Sequence, residues 1–162
     1  MNASTIRPRP RCDPCSRTIR GMIEALPETI RTFVDDLRFA TIATIDPDGA
    51  PRQAVVWYTI DGDEIVFNSR VGRRWPTNLL RDGRMSVAIP DGVDGYRWVG
   101  LTGTVRPVTD QATAQADIAG MARRYHADDP AKAEELIRNR FSQQERISFR
   151  FRPDAVHDHL DE

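Results

Sequence analysis

Arg70, Arg73 and Arg74 stand within one five-residue stretch, where the apolar run Glu64-Ile65-Val66-Phe67 gives out and a short helical pattern begins. Guanidinium forks grip phosphates and carboxylates with paired N–H donors, and a helix start adds backbone N–H groups that lack intrahelical acceptors. The stretch from Phe67 through Asn68, Ser69 and the arginines to Trp75 therefore describes an anion cradle suited to a phosphate. The competing reading is a solvated turn: Lys132 is the only lysine, and a GC-rich genome enriches arginine everywhere. Clustering, not abundance, separates the two.

Other chemistry is thinly represented. No G-x-S-x-G elbow occurs, and Cys12 and Cys15 form a lone C-x-x-C in an arginine- and proline-rich leader. That pair has neither the strand-to-helix junction of a redox motif nor two further ligands for zinc. His157-Asp158-His159 puts two imidazoles on one face of an extended segment, but without a third distant ligand the expectation is a solvated tail, not a metal site. His126 follows a helical pattern and suits a C-terminal cap. Trp57, Tyr58, Trp75, Tyr96 and Trp98 fit core or interface packing equally with the walls of a planar ring site. No activated nucleophile is signalled, an absence that hydride chemistry would explain, because a bound cofactor then carries the reaction and the protein binds and orients.

The elements that must position these residues are legible in order. The 162 residues suffice for one domain, expected over 23–162 with a disordered leader over 1–22. A net charge of −1 gives no general pull toward nucleic acid or anionic lipid. No apolar run nears the roughly 20 residues of a membrane span, and the leader lacks the apolar segment of a secretory signal. The expectation is a cytoplasmic protein with neither nucleic-acid nor membrane partners.

Pro27 to Leu37 carries apolar residues at helical spacing. Phe39 to Ile45 is a strand, Asp46-Pro47-Asp48-Gly49 a turn, Ala50 to Ile60 a second strand, Asp61-Gly62 a hairpin corner, and Asp63 to Phe67 a third strand. Trp75 to Arg81 is a short helix, Arg84 to Ile89 the fourth strand, and Tyr96 to Arg106 the fifth. Gly100 and Gly103 suggest a bulge, a bend or a close backbone approach in that fifth strand. Helices are expected from Thr109-Asp110 to Tyr125 and from Asp129-Pro130 to Ile137. The last strand, Arg146 to Arg152, alternates with Ile147, Phe149 and Phe151 inward and its polar residues outward. The sum is a mainly β (α+β) chain, a six-stranded antiparallel split β-barrel with flanking helices.

Taken in order, Phe39 to Pro51, Val56-Trp57-Tyr58, Asn68 to Arg74 and Asn78 to Ser86 resemble the pyridoxamine 5'-phosphate oxidase-like split-barrel flavoproteins, of FMN-binding split barrel type. Within that family the resemblance is closest to the branch that uses the deazaflavin coenzyme F420, and it covers about Pro27 to Leu160. It implies a homodimer with cofactor sites at the subunit interface and a small-molecule substrate. It places the cofactor phosphate on Arg52, Arg73 and Arg74, with Arg70 assisting at the mouth. Val56 and Trp57 would lie along the ring, Phe67, Asn68 and Ser69 beside the phosphate, Trp75 and Asn78 on the following helix, and Trp98 within reach of the cofactor.

Trp75 replaces a lysine that many deazaflavin relatives carry, which leaves the grip to arginines. Trp57 replaces a lysine frequent in the flavin oxidases, which weakens the case for FMN. The implied reaction passes a hydride from reduced coenzyme F420 to an unsaturated or conjugated small molecule. Tyr58 and Tyr96 are substrate-side residues by type, and no catalytic residue is identified. The alternatives are an FMN-dependent oxidase or reductase, and a non-catalytic binder of a flavin, deazaflavin or tetrapyrrole.

Overall fold

The computed structural model describes residues 17–20, by their backbone pairing, and residues 25–161. Its strands are β1 (Arg17–Arg20), β2 (Ala40–Ile45), β3 (Pro51–Val56), β4 (Tyr58–Asp61), β5 (Glu64–Arg70), β6 (Arg84–Pro90), β7 (Trp98–Val108) and β8 (Arg146–His159). The helices are α1 (Glu28–Asp35), α2 (Arg74–Arg81), α3 (Gln111–Tyr125) and α4 (Pro130–Leu136), and a π-helical turn over Ile137–Phe141 continues α4. No helix among the described residues is long and apolar enough to cross a membrane.

The sheet is antiparallel throughout and runs β3-β2-β6-β7-β8-β5-β4, with β1 on β8. Its two end strands, β3 and β4, are neighbours in the chain, joined only through Trp57. The second expected strand, Ala50 to Ile60, is therefore two: at Trp57 the chain leaves its pairing with β2 and takes up pairing with β5. Every residue across the break favours extended backbone, so the sequence shows no interruption there. That corner closes the split barrel.

Eight strands replace the six expected, through the division at Trp57 and the addition of β1. Most of the leader, including Cys12, Cys15 and Met22, lies outside the described residues; Arg17–Arg20 pair with residues 155–158 of β8. The last strand runs on to His159, well past Arg152.

Turn chemistry sets the corners. Gly49, Gly62 and Gly72 have φ of +85°, +61° and +84°, where a side chain would be strained. The expected bulge falls between Thr102 and Gly103, and a Cβ on Gly103 would come within 2.4 Å of the Arg152 carbonyl oxygen. Asp110 caps α3 by accepting from Thr113 N–H, and Asp129 caps α4 by accepting from Lys132 N–H. His126 ends α3, its N–H donated to the Ala122 carbonyl.

Two apolar clusters result. Inside the barrel, Ile42, Phe67, Leu101, Phe149 and Phe151 pack with Ile30 and Val34 of α1. On the outer face of β5, Val66 packs with Ile118, Met121 and Ala122 of α3 and with Phe141. The helical insert thus covers the second face of β5 and β8. For this reason Arg146 and Ser148, expected outward, are buried.

Candidate functional site

Strand β3 lies at the sheet's edge with a different arginine group at each end. At its start, the Asp46 carboxylate sits in the turn after β2, 7% exposed. It accepts from Arg52 Nε at 2.8 Å and Asn78 Nδ2 at 2.7 Å, and Arg74 Nε stands 3.4 Å away. Asn78 also donates to Thr44 Oγ1, and Arg81 donates to the Ile45 carbonyl, so α2 is strapped to the end of β2. The Asn78 amide, then the Arg52 guanidinium, hold the Asp46 carboxyl below the usual carboxylate range. Both guanidiniums meet Asp46 through Nε, which leaves the Nη atoms of each without a hydrogen-bond partner among the described residues and able to donate to an anion.

At the other end, Trp57 borders a cavity of about 240 Å³. Phe39, Val55, Val56, Trp57 and Phe141 supply apolar walls, and Arg73, Arg140, Arg146, Asn68 and Gln144 supply the polar side. Trp57 is held in place by stacking on Tyr125, ring centroids 4.8 Å apart, with His126 and Phe141 at its edges. Tyr125 is itself fixed, accepting from the Tyr58 N–H and donating to the Arg38 carbonyl.

Arg146 is 6% exposed and has only neutral partners. Asn68 Oδ1 accepts from its Nε at 3.0 Å and its Nη2 at 2.7 Å, and Gln144 Oε1 accepts from its Nη1 at 2.6 Å. Asn68 is in turn fixed through Nδ2, which donates to the Ala114 carbonyl and Ser148 Oγ. Burial, and after it the charges of Arg73, Arg140 and Arg70, push the Arg146 guanidinium down to about 10. It stays charged at neutral pH. None of these four arginines makes an ion pair among the described residues.

The sequence-predicted residues divide between these ends and the core. Arg73 and Arg74 do not act as a pair. Arg73 is the N-cap residue, in extended backbone, and Arg74 the first residue of α2, so the two side chains leave in different directions: Arg74 meets Asp46 while Arg73 lines the cavity. Arg52, Arg74 and Asn78 gather at Asp46, whereas Val56, Trp57, Asn68, Arg73 and Trp75 line the cavity. Arg70 is exposed beside the cavity, across from Arg146 in the β5–β8 register.

Phe67 lies in the barrel core, and Ser69 is buried with no hydrogen-bond partner for Oγ. Trp98 stacks on His159, ring centroids 4.2 Å apart, and is not among the residues that line the cavity. Tyr58 is a core residue: its hydroxyl donates to the Val34 carbonyl, and burial pushes the phenol far above its ordinary value. Tyr96, 86% exposed, sits in the loop before β7. Neither tyrosine reaches the cavity. No group of three or more His, Cys, Asp and Glu side chains converges on a metal position among the described residues.

Sequence reasoning missed Asp46, Arg140, Gln144 and Arg146. Asp46 looked like a turn residue only. Arg146 looked solvent-facing because its strand alternates. The signal that exposes it is the apolar face of α3, Ala114, Ile118 and Met121, which needs a surface to cover.

No curated protein matches the chain by sequence. Several solved structures share its fold. An F420 reductase is 22% identical over 81% of this chain and 98% of its own, with a TM-score of 0.64. A conserved hypothetical protein from Mycobacterium tuberculosis is 24% identical over 86% of this chain and 89% of its own, TM-score 0.68. The heme storage protein HutZ of Vibrio cholerae is 18% identical over 80% of this chain and 90% of its own, TM-score 0.59. At these identities the likeness is one of fold. The sequence match is broader than any single motif: residues 26–159 fit the pyridoxamine 5'-phosphate oxidase family, and the chain belongs to that family.

Proposed function

We propose that the protein is an oxidoreductase that binds coenzyme F420 along β3 and uses it for hydride exchange with an unsaturated or conjugated small molecule. The carrying observation is the Asp46 group, a buried carboxylate that meets Arg52 and Arg74 through their Nε atoms at the start of an edge strand. A phosphate ester fits that donor set. From Arg52 to Trp57 the extended chain covers roughly 16 Å, long enough for a phosphate-bearing chain to lie along β3 and bring a tricyclic ring to the cavity. Bound there, reduced coenzyme F420 supplies the hydride. Val56 and Trp57 would set the ring, and the helical insert would shield one side from water.

The cavity is smaller than the ~300–1,000 Å³ usual for a whole ligand, and Phe39 and Val55 at its rim are 56% and 69% exposed. Both features support a homodimer in which a second copy completes the site. Sedimentation should then give twice the chain mass.

One observation favours a second reading, a non-catalytic binder of a flavin, deazaflavin or tetrapyrrole: among the described residues, the cavity lining contains no carboxylate, thiol, imidazole or tyrosine to give a proton. Fluorescence titration with coenzyme F420 and with FMN, followed by turnover on a panel of enones and quinones, separates the readings. Micromolar binding of the deazaflavin with turnover is expected. Binding of FMN alone overturns the cofactor assignment, and tight binding without turnover favours the binder.

A further inference from the structure

Two short motifs take no part in the proposed cofactor grip: Cys12-x-x-Cys15, just before β1, and His157-x-His159, at the end of β8. Each offers two metal ligands and lacks two more. Among the described residues, no third His, Cys, Asp or Glu joins the histidines. The topology brings the two halves to one place. β1 runs antiparallel to β8, with Thr18 opposite His157 and Arg17 opposite Asp158. Traced backward from Arg17, the chain therefore heads past His159, and Cys15 is only two residues on. Two residues span at most about 7 Å, and paired strands lie about 5 Å apart. Cys15 is thus within reach of an ion held by the imidazoles.

The histidine pair is built to present one face. Residues i and i+2 of a strand project to the same side. Asp158, between them, serves the other side, where it lines a cleft against α1 and accepts from the Leu160 N–H. Toward β7 the pair is walled: Trp98, opposite His159, stacks on its imidazole with ring centroids 4.2 Å apart. Gly100, opposite His157, makes room for the indole, since a Cβ there would come within 2.7 Å of the Trp98 ring and 3.3 Å of His157 Cβ. Both imidazoles are half-buried. One flank of the pair is this apolar wall, and the other is the flank where β1 joins β8.

We infer that Cys12, Cys15, His157 and His159 form a structural zinc site that ties the segment before β1 to the end of β8. Two thiolates and two neutral imidazoles complete a tetrahedron with no open position, the closed kind that stabilises a fold and performs no reaction. The cysteines release their protons on binding. The ion anchors β1, a strand of four residues that joins the sheet only off its main path. Because none of the four residues belongs to the Asp46 group or lines the Trp57 cavity, the zinc site stands or falls separately from the cofactor.

The untagged chain, produced with added zinc and dialysed under reducing conditions, is expected to retain one zinc per chain by elemental analysis. Cobalt(II) added to the zinc-free chain should bind one to one, with the ligand-field absorption of a tetrahedral site and a sulfur-to-cobalt charge-transfer band. Replacing Cys12→Ser and Cys15→Ser together should abolish that band. Replacing His157→Gln and His159→Gln together should weaken cobalt at least about a hundredfold, beyond the ~10–100-fold that a ligand's supporting partners are worth. Absence of stoichiometric metal overturns the inference. Cobalt held by the cysteines with undiminished affinity in the histidine variant overturns it too, since the thiolates would then have found other partners. If the histidine variant loses the native far-ultraviolet spectrum, X-ray absorption at the zinc edge of the wild type decides: two sulfur and two nitrogen ligands support the site, and any other set overturns it.

Discussion

The two ends of β3 solve the same problem, holding arginines close together, in opposite ways. At Asp46 the solution is a counter-charge: one buried carboxylate and the Asn78 amide fix Arg52 and Arg74 by their Nε atoms. At the cavity it is neutral scaffolding: Asn68 and Gln144 fix Arg146 but leave its charge, and those of Arg73 and Arg140, uncompensated. The first arrangement is stable when empty and attracts an anion mildly. The second buries the charge of Arg146, while Arg73 and Arg140 stay exposed to solvent.

The comparison breaks first on stability. Asn68→Ala removes an amide that makes four buried hydrogen bonds; it is expected to cost about 3 kcal/mol in urea unfolding, because it strands a buried guanidinium. Arg146→Met should cost less than Asn68→Ala, since it deletes the charge along with its needs. The reverse order would mean that the cluster is not under electrostatic strain.

The next effect is on cofactor affinity. Arg52→Ala and Arg74→Ala should each weaken coenzyme F420 by about 1–3 kcal/mol in fluorescence titration, with Arg73→Ala nearer neutral. Equal losses at all three would restore a single phosphate grip.

A smaller effect concerns acid stability. The carboxyls of Asp46, Asp82 and Asp91 are depressed when folded, the last two to about 2. The unfolded chain therefore binds more protons as pH falls. The stability these groups contribute is fully present above their ordinary pKa of 3.8 and is lost toward about pH 2. Asp46→Asn should make the acid limb of stability against pH shallower, and Arg146→Met should leave it unchanged.

How much of this was legible follows from what sequence patterns report. Alternation and turn residues located the six expected strand regions and the helix caps at Asp110 and Asp129, because those depend on neighbours in the chain, but not β1, which lies in the arginine- and proline-rich leader. The break at Trp57 was hidden, since changing strand partners costs the backbone no change of residue preference. The arginine corner was found as a cluster, but its division between the Asp46 group and the cavity depends on the extended backbone of Arg73 before α2 and on a carboxylate from a distant turn. Arg146 was assigned to solvent because one-sided alternation cannot say that a helical insert covers the other face.

The most direct test of the account is one fluorescence titration series with coenzyme F420 on wild type, Arg74→Gln and Arg140→Gln. A loss of about tenfold or more at Arg74, with no more than about a twofold change at Arg140, is the predicted result. Equal losses at both positions, or a loss confined to Arg140, would contradict the division of labour between the two ends of β3.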